Sequence, residues 1–126
     1  MGRITSHKEL DVYRLSFEVS MEIFVVSRDF PSEERYSLVD QMRRSSRAVC
    51  ANIAEAWRKR RYQKAFVLCL NNAEAEAAET QTWVDFALKC NYLHPTQAEN
   101  FHKTYDNVIG KLVNMIHNPT PWILPK

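Results

Sequence analysis

The stretch FPSEERYSLVDQMRRSSRAVCANIAEAW, residues 30–57, joins a proline-interrupted connection to one long amphipathic helix. Pro31 ends the connection because the residue before a proline disfavours helical geometry. Ser37 is placed to cap the following helix through its hydroxyl, with Asp40 at the third helical position. Beyond Ser37 the apolar residues recur every four or seven positions, which predicts a helix over about 37–57 with one buried face. That face consists of Leu38, Met42, Val49, Ile53 and Trp57.

Three further helical patterns surround this one. They cover about 7–28, 63–91 and 95–117. The last begins at His94-Pro95, where a proline in the first helical position loses no hydrogen bond. Two glycines among 126 residues are few for a sheet with tight turns. The sequence therefore predicts a single all-α domain over residues 1–118.

The three prolines of residues 119–126 prevent the last helix from continuing. The segment encloses the apolar residues Trp122, Ile123 and Leu124. We expect either an extended arm that docks on a neighbouring subunit or partner, or a disordered end.

Composition and spacing also limit the function. No apolar run approaches the roughly 18 residues of a membrane span, and the start of the chain lacks the apolar core of a signal peptide. Cys50, Cys69 and Cys90 show no paired spacing, so we expect reduced, buried thiols in a cytoplasmic protein. Glu99 and His102 form one E-x-x-H pair, whereas di-metal bundles use two. We therefore expect no metal, no other cofactor and no catalytic residue.

The first helix carries two apolar stripes on a wheel of about 100° per residue. One consists of Leu10, Tyr13, Phe17, Met21 and Phe24, and the other of Val12, Leu15, Val19, Ile23 and Val26. A surface helix of a monomer needs only one such stripe, so we predict that this helix also contacts another subunit. Val19, on the second stripe, is the residue expected at that contact. The alternative is a helix that lies at the centre of its own subunit.

The third helix repeats this two-sided pattern. Its first face consists of Phe66, Leu70, Ala73, Ala77, Val84 and Leu88, and its second of Leu68, Ala75 and Phe86. Because a four-helix bundle has no central helix, we expect the second face to be buried by a homo-oligomer.

Positive charge is concentrated in residues 41–64, which hold eight Lys/Arg against one acid, while the remaining chain has nine Lys/Arg against fourteen Asp/Glu. Basic side chains in such a patch neutralise nucleic-acid phosphates, and nearby aromatic rings stack on bases. The candidate RNA- or DNA-binding residues are Arg58, Lys59, Arg60, Arg61 and Lys64, with Trp57 and Tyr62 as stacking rings. Arg43 and Arg44 are expected to be structural. The alternative is a solvated loop whose cations pair with acids such as Glu55, Glu79 or those of a neighbouring subunit.

Polar residues recur along one side of the second helix and on the third. They are Gln41, Asn52, Glu55 and Glu79. Polar groups on partly apolar faces need partners when they are buried. We expect a hydrogen-bonded polar seam between helices or between subunits, with a ligand site as the alternative.

The sequence of residues 30–57 resembles one protein family. The matching residues are Phe30, Pro31, Glu34, Tyr36, Leu38, Gln41, Met42, Arg43, Arg44, Asn52, Ile53, Ala54 and Glu55, followed by Phe66, Glu79, Thr82, Tyr92 and Leu93. They resemble the family encoded in intervening sequences of bacterial 23S ribosomal RNA genes. Cys50 and Ala56 stand where that family often has proline and glycine, which predicts a straighter and longer second helix.

The resemblance implies an antiparallel up-down-up-down four-helix bundle that assembles into a ring, commonly a pentamer. The chain is similar, more distantly, to the accessory proteins of diversity-generating retroelements, which are basic pentameric bundles that bind nucleic acid and a reverse transcriptase. The family has no established enzymatic activity. We therefore expect a non-enzymatic accessory protein that binds RNA or DNA without sequence specificity. The alternative is a protein-interaction scaffold that binds no nucleic acid.

Overall fold

The computed structural model describes residues 3–125, and four α-helices account for most of this range. They are α1 (Asp11–Ser27), α2 (Leu38–Arg58), α3 (Gln63–Lys89) and α4 (Pro95–His117). Short 3-10 turns lie at His7–Glu9, Ser32–Glu34 and Thr120–Trp122, and no strand occurs within residues 3–125.

Two helix ends differ from the expected bounds by more than one residue, for local reasons. The first helix begins at Asp11 because Ser6 and Glu9 close a separate capped turn and Leu10 is extended. The third helix stops at Lys89 because Asn91 adopts a positive φ of 64°, a conformation that asparagine tolerates well. α2 is uninterrupted, as the residues in place of the family's proline and glycine predict.

The helices pack as a bundle in which α1 lies beside α2 and α4, and α3 also lies beside α2 and α4. α1 and α3 therefore occupy diagonally opposite corners. The connection between α2 and α3 spans residues 59–62, and that between α3 and α4 spans 90–94. Connections this short join antiparallel neighbours.

The core stripe of α2 is buried as its spacing predicts, with Met42, Val49 and Ile53 fully enclosed. On α1 the enclosed apolar residues are Val12, Val19 and Ile23. Val19 is only 1% exposed. The expectation that Val19 contacts another subunit is therefore wrong, because its stripe faces the core of its own bundle.

A layer of small hydroxyl side chains crosses the middle of this core. Ser20 Oγ of α1 lies 3.2 Å from Ser46 Oγ of α2, and Ser45 Oγ lies 2.8 Å from Thr80 Oγ1 of α3. All four side chains are buried. Because buried hydroxyls are costly without partners, these two contacts fix the axial register of α1, α2 and α3.

One end of the bundle is closed by residues of the family motif. The rings of Phe30 and Tyr92 lie 5.3 Å apart, and the Tyr92 hydroxyl donates to Glu34 Oε2 at 2.9 Å. Ser37 also donates to Glu34, at 2.6 Å, and makes no side-chain capping bond to α2. The predicted Ser37 cap is therefore wrong, because its hydroxyl is used by the carboxylate in the loop.

Only one of the three cysteines is fully buried. Cys69 is enclosed, Cys50 is half-buried and Cys90 is exposed at the end of α3. Burial raises the pKa of Cys50 to about 11, and it also raises the pKa of Cys69. The expectation of buried thiols is therefore wrong for Cys90.

None of the helices in the described range has the length and apolarity needed to cross a bilayer.

The C-terminal segment packs on its own bundle. Pro119 is buried, Trp122 and Ile123 contact the core, and the Leu124 N–H donates to the Arg60 carbonyl at 3.1 Å. Neither the extended arm nor the disordered end describes residues 119–125. Lys126 lies outside the described residues.

The closed end predicts a pH-dependent contribution to stability. Hydrogen bonds from Ser37 and Tyr92 lower the pKa of Glu34 below its usual value. The contact therefore stabilises the fold above the unfolded carboxyl pKa of about 4.3, and this contribution is lost as the pH falls through the lower folded-state pKa. Tyr92→Phe should lose less stability than the wild type between neutral and acidic pH, measured by urea denaturation. Tyr36→Phe, at a tyrosine 87% exposed, is the control. Identical pH profiles for wild type and Tyr92→Phe would contradict the assignment.

Candidate nucleic-acid interface

The α2–α3 connection is a tight turn that holds the basic residues in fixed positions. The Lys59 N–H bonds back to the carbonyls of Glu55 and Ala56, and the Tyr62 N–H bonds to the Lys59 carbonyl. α3 starts immediately after Tyr62. Arg58 and Lys64 therefore lie on the last turn of α2 and the first turn of α3, with the other basic residues between them.

Arg60 is part of the packing of this turn. Its guanidinium carbon lies 3.5 Å from the centre of the Trp57 ring, and its Nε donates to the Trp57 carbonyl at 2.7 Å. Its own carbonyl accepts the bond from Leu124. Burial lowers the pKa of Arg60. Arg60 therefore anchors the loop and the tail, and of the five predicted cations it is the least available to a ligand.

Lys59 has a partner within the subunit. Its Nζ lies 2.9 Å from Glu55 Oε1, and this hydrogen bond is the main reason that its pKa is raised. Both side chains are about half exposed, so the pair adds little stability. The ion pairing considered as an alternative for the basic cluster is thus present at Lys59.

The other three cations remain available. Arg58, Arg61 and Lys64 are exposed. Within residues 3–125 none of them forms an ion pair. The structure thus brings all five predicted residues to one end of the bundle, and three of them are both exposed and, in the described chain, without an ion pair.

The two aromatic residues of this region differ in exposure. Trp57 is 4% exposed and lies beneath Arg60, so its predicted stacking on a base is wrong. Tyr62 is 67% exposed beside the unpaired cations. A shallow cleft lined by the loop residues and Leu124 adjoins it. One ring therefore remains to stack on a nucleic-acid base.

The predicted polar seam forms no network within the subunit. Asn52 donates to the Ala48 carbonyl of its own helix at 2.8 Å, and Glu55 pairs with Lys59. Gln41 and Glu79 are exposed and make no side-chain hydrogen bond to another helix in the described chain. The seam between subunits stays a prediction.

The two residues of the E-x-x-H pair, Glu99 and His102, have different surroundings. His102 Nε2 lies 2.8 Å from Asp85 Oδ1 across α3 and α4. Glu99 is exposed. Among residues 3–125 no three potential ligands group around a metal position.

Sequence reasoning counted Arg43 and Arg47 in the basic stretch but missed their grouping with Arg28 near the C-terminal end of α1. The guanidinium carbons of Arg28, Arg43 and Arg47 lie 5.8, 4.6 and 5.9 Å from the centre of the Phe24 ring. We call these three residues the arginine cage. Arg28 lies outside the charge-rich stretch 41–64, so a count along the chain does not include it. A joint helical wheel of α1 and α2 is the signal that would have found it.

Comparison with known proteins agrees with the motif. The family model described as 23S rRNA-intervening sequence protein matches residues 8–114. The chain is also similar to the crystal structure of a protein of unknown function from the S23 ribosomal protein family of Bacteroides thetaiotaomicron. The two are 25% identical with a TM-score of 0.76, over 84% of this chain and 95% of that chain. No curated protein matches the sequence.

The different environments of the loop cations predict different mutational costs. Arg60→Ala removes a stacked guanidinium and a hydrogen bond, so it should lower the free energy of unfolding by about 1 kcal/mol. Arg61→Ala, at an exposed and unpaired side chain, should change it by less than about 0.5 kcal/mol. Urea denaturation of both variants measures the difference. Equal effects would show that Arg60 does not anchor the turn.

Proposed function

Because the chain belongs to the 23S rRNA-intervening sequence protein family, we propose that it is a non-enzymatic accessory protein. In this proposal several copies assemble into a ring, and each copy binds RNA or DNA through phosphates. The observation that carries the binding proposal is the group of three exposed, unpaired cations at one end of the bundle, Arg58, Arg61 and Lys64.

Phosphate contacts of this kind provide affinity without sequence preference. Arg58 and Arg61 belong to the same tight turn, and Tyr62, which follows Arg61, presents an exposed ring. A ring repeats the surface around its axis, so that weak contacts on one long strand act together. Single-stranded nucleic acid suits this combination because its bases are free to stack on an aromatic side chain.

Assembly is supported by apolar side chains on the outer sides of α1 and α3. Phe17 and Met21 are 50% and 47% exposed, and Leu68 and Phe86 are 58% and 55% exposed. The first apolar stripe of α1, rather than the stripe of Val19, is therefore the one available to another subunit. The second face of α3 is available as the sequence predicts.

The positions of these two faces favour a ring over a twofold dimer. They are different surfaces on diagonally opposite corners of the bundle. A contact between the α1 face of one copy and the α3 face of the next is heterologous. Repeated heterologous contacts close into a ring when the rotation permits. We propose a pentamer, the assembly that the family resemblance implies.

Binding is tested by retention on RNA across a salt series. Arg58→Ser/Arg61→Ser should weaken retention at every salt concentration. It should also reduce the slope of log affinity against log salt by about 0.7 to 0.9 for each phosphate that the variant no longer neutralises. Lys89→Ser/Lys103→Ser removes the same charge from exposed positions elsewhere and is the control. Arg60 is left intact because its loss disturbs the turn. If the two double variants behave alike, the loop does not bind nucleic acid, and the protein-interaction scaffold becomes the better explanation.

Assembly is tested at the outer face of α1. Phe17→Glu places a charge on an exposed apolar stripe, so the folded chain should lose its oligomeric mass in light scattering while keeping its helical circular dichroism. Val19→Glu should instead unfold the chain, because a carboxylate there is buried without a partner. Tyr36→Glu, in an exposed loop, is the control and should keep the wild-type mass. An unchanged mass for Phe17→Glu contradicts the proposed face.

A further inference from the structure

The arginine cage is held in place by contacts within the subunit, but these contacts are not with acids. Arg43 Nε donates to Ser27 Oγ at 3.0 Å, and a terminal nitrogen of Arg43 lies 3.4 Å from the Phe24 carbonyl. No carboxylate of residues 3–125 forms an ion pair with any of the three arginines. Partial burial and the adjacent charges of Arg47 and Arg28 lower the pKa of Arg43. Three like charges around one ring would be stabilised by an anion from outside the subunit.

The surroundings of the cage are apolar on one side. Phe24 is a member of the same α1 stripe as the exposed Phe17 and Met21. A partner surface that carries an anion among apolar side chains would pair with the arginines and cover the exposed apolar residues of α1 at the same time. A carboxylate on the apolar face of another protein helix has this combination.

The outer face of α3 has the required composition. Glu79 is exposed and lies on the same side of α3 as Leu68, Ala75 and Phe86. In the described chain Glu79 forms no ion pair. The α1 face therefore combines apolar residues with unpaired cations, and the α3 face combines apolar residues with an unpaired acid.

The two faces also match in height along the bundle. The contacts Ser20–Ser46 and Ser45–Thr80 place these residues at one level. At 1.5 Å per residue, the Cα of Glu79 lies about 1.5 Å from that level and the Cα of Arg47 about 1.5 to 3 Å from it, on the same side, because α2 runs opposite to α1 and α3. Rotation about an axis parallel to the helices preserves height. Neighbouring copies in such a ring would therefore bring Arg47 of one to the level of Glu79 of the next.

We infer that the arginine cage at Phe24 receives the Glu79 carboxylate of a second copy of this chain, between the exposed apolar residues of α1 and α3. The inference rests on the ring assembly proposed above and names the polar contact that sets its register. It assigns the cage to assembly and leaves nucleic-acid binding to the loop at the other end of α2. Charge pairs of this kind choose the partner and the register more than they add affinity.

Charge reversal at exposed positions tests the pairing. Arg47→Glu and Glu79→Arg should each raise the concentration at which the oligomer dissociates by about tenfold or more, measured by light scattering on a dilution series. The combined variant Arg47→Glu/Glu79→Arg restores opposite charges and should assemble close to the wild-type concentration. Lys103→Glu and Glu99→Arg, both exposed on α4, are the matched controls and should leave the dissociation concentration unchanged.

Each other outcome has a separate meaning. A wild-type chain that stays single at all concentrations refutes the ring, and this inference with it. A wild-type oligomer unaffected by either reversal refutes the cage contact while the ring stands. Single reversals that dissociate the oligomer without recovery in the combined variant refute the pairing of these two residues. If Arg47→Glu keeps the oligomer but weakens RNA retention, the cage binds phosphate instead of a carboxylate.

Discussion

A four-helix bundle buries only the inward side of each helix, and this constraint determines which apolar residues of the chain stay exposed in a single subunit. α1 and α3 both carry apolar side chains on the outward side as well. Within one subunit those outward residues cannot reach a core, since α1 and α3 stand at diagonal corners with α2 and α4 between them. Removing them from water requires another molecule. The proposal that several copies assemble depends on where the outward residues lie, on α1 and α3, more than on how many there are.

The same constraint separates cations that look equivalent in the sequence. Arg60 lies over a buried ring and bonds to backbone, Lys59 pairs with an acid, and Arg61 is left to solvent. The cage arginines form another class, in which three guanidinium groups surround one aromatic ring and, within residues 3–125, none of them forms an ion pair. A run of basic residues therefore indicates a binding surface only for those side chains whose charge is not already used in contacts within the subunit. Here the assignment leaves one group at the α2–α3 turn and a second near the end of α1.

The sequence predicted the features that depend on local periodicity. Helix number and the buried stripe of α2 follow from spacings of three, four and seven residues. The family follows from the resemblance of the motif residues, and the match over residues 8–114 confirms it. What it missed depends on contacts between distant segments. The two stripes of α1 are equally apolar, so only the position of α2 and α4 decides that Val19 faces inward. Ser37 has the composition of a cap, yet Glu34 in the preceding loop takes its hydroxyl. Arg28 joins Arg43 and Arg47 only because α1 and α2 lie side by side.

The unequal environments of the three cysteines have a practical consequence. Thiolate is the reactive form of cysteine, and the burial of Cys50 and Cys69 holds both in the thiol form at neutral pH. Cys90 is exposed at the end of α3 opposite the basic turn. A maleimide dye added to the native chain should therefore attach at a single position, without any engineered substitution. That position lies far from the basic turn, where a fluorophore can report on rotation and proximity of neighbouring copies without obstructing a bound strand.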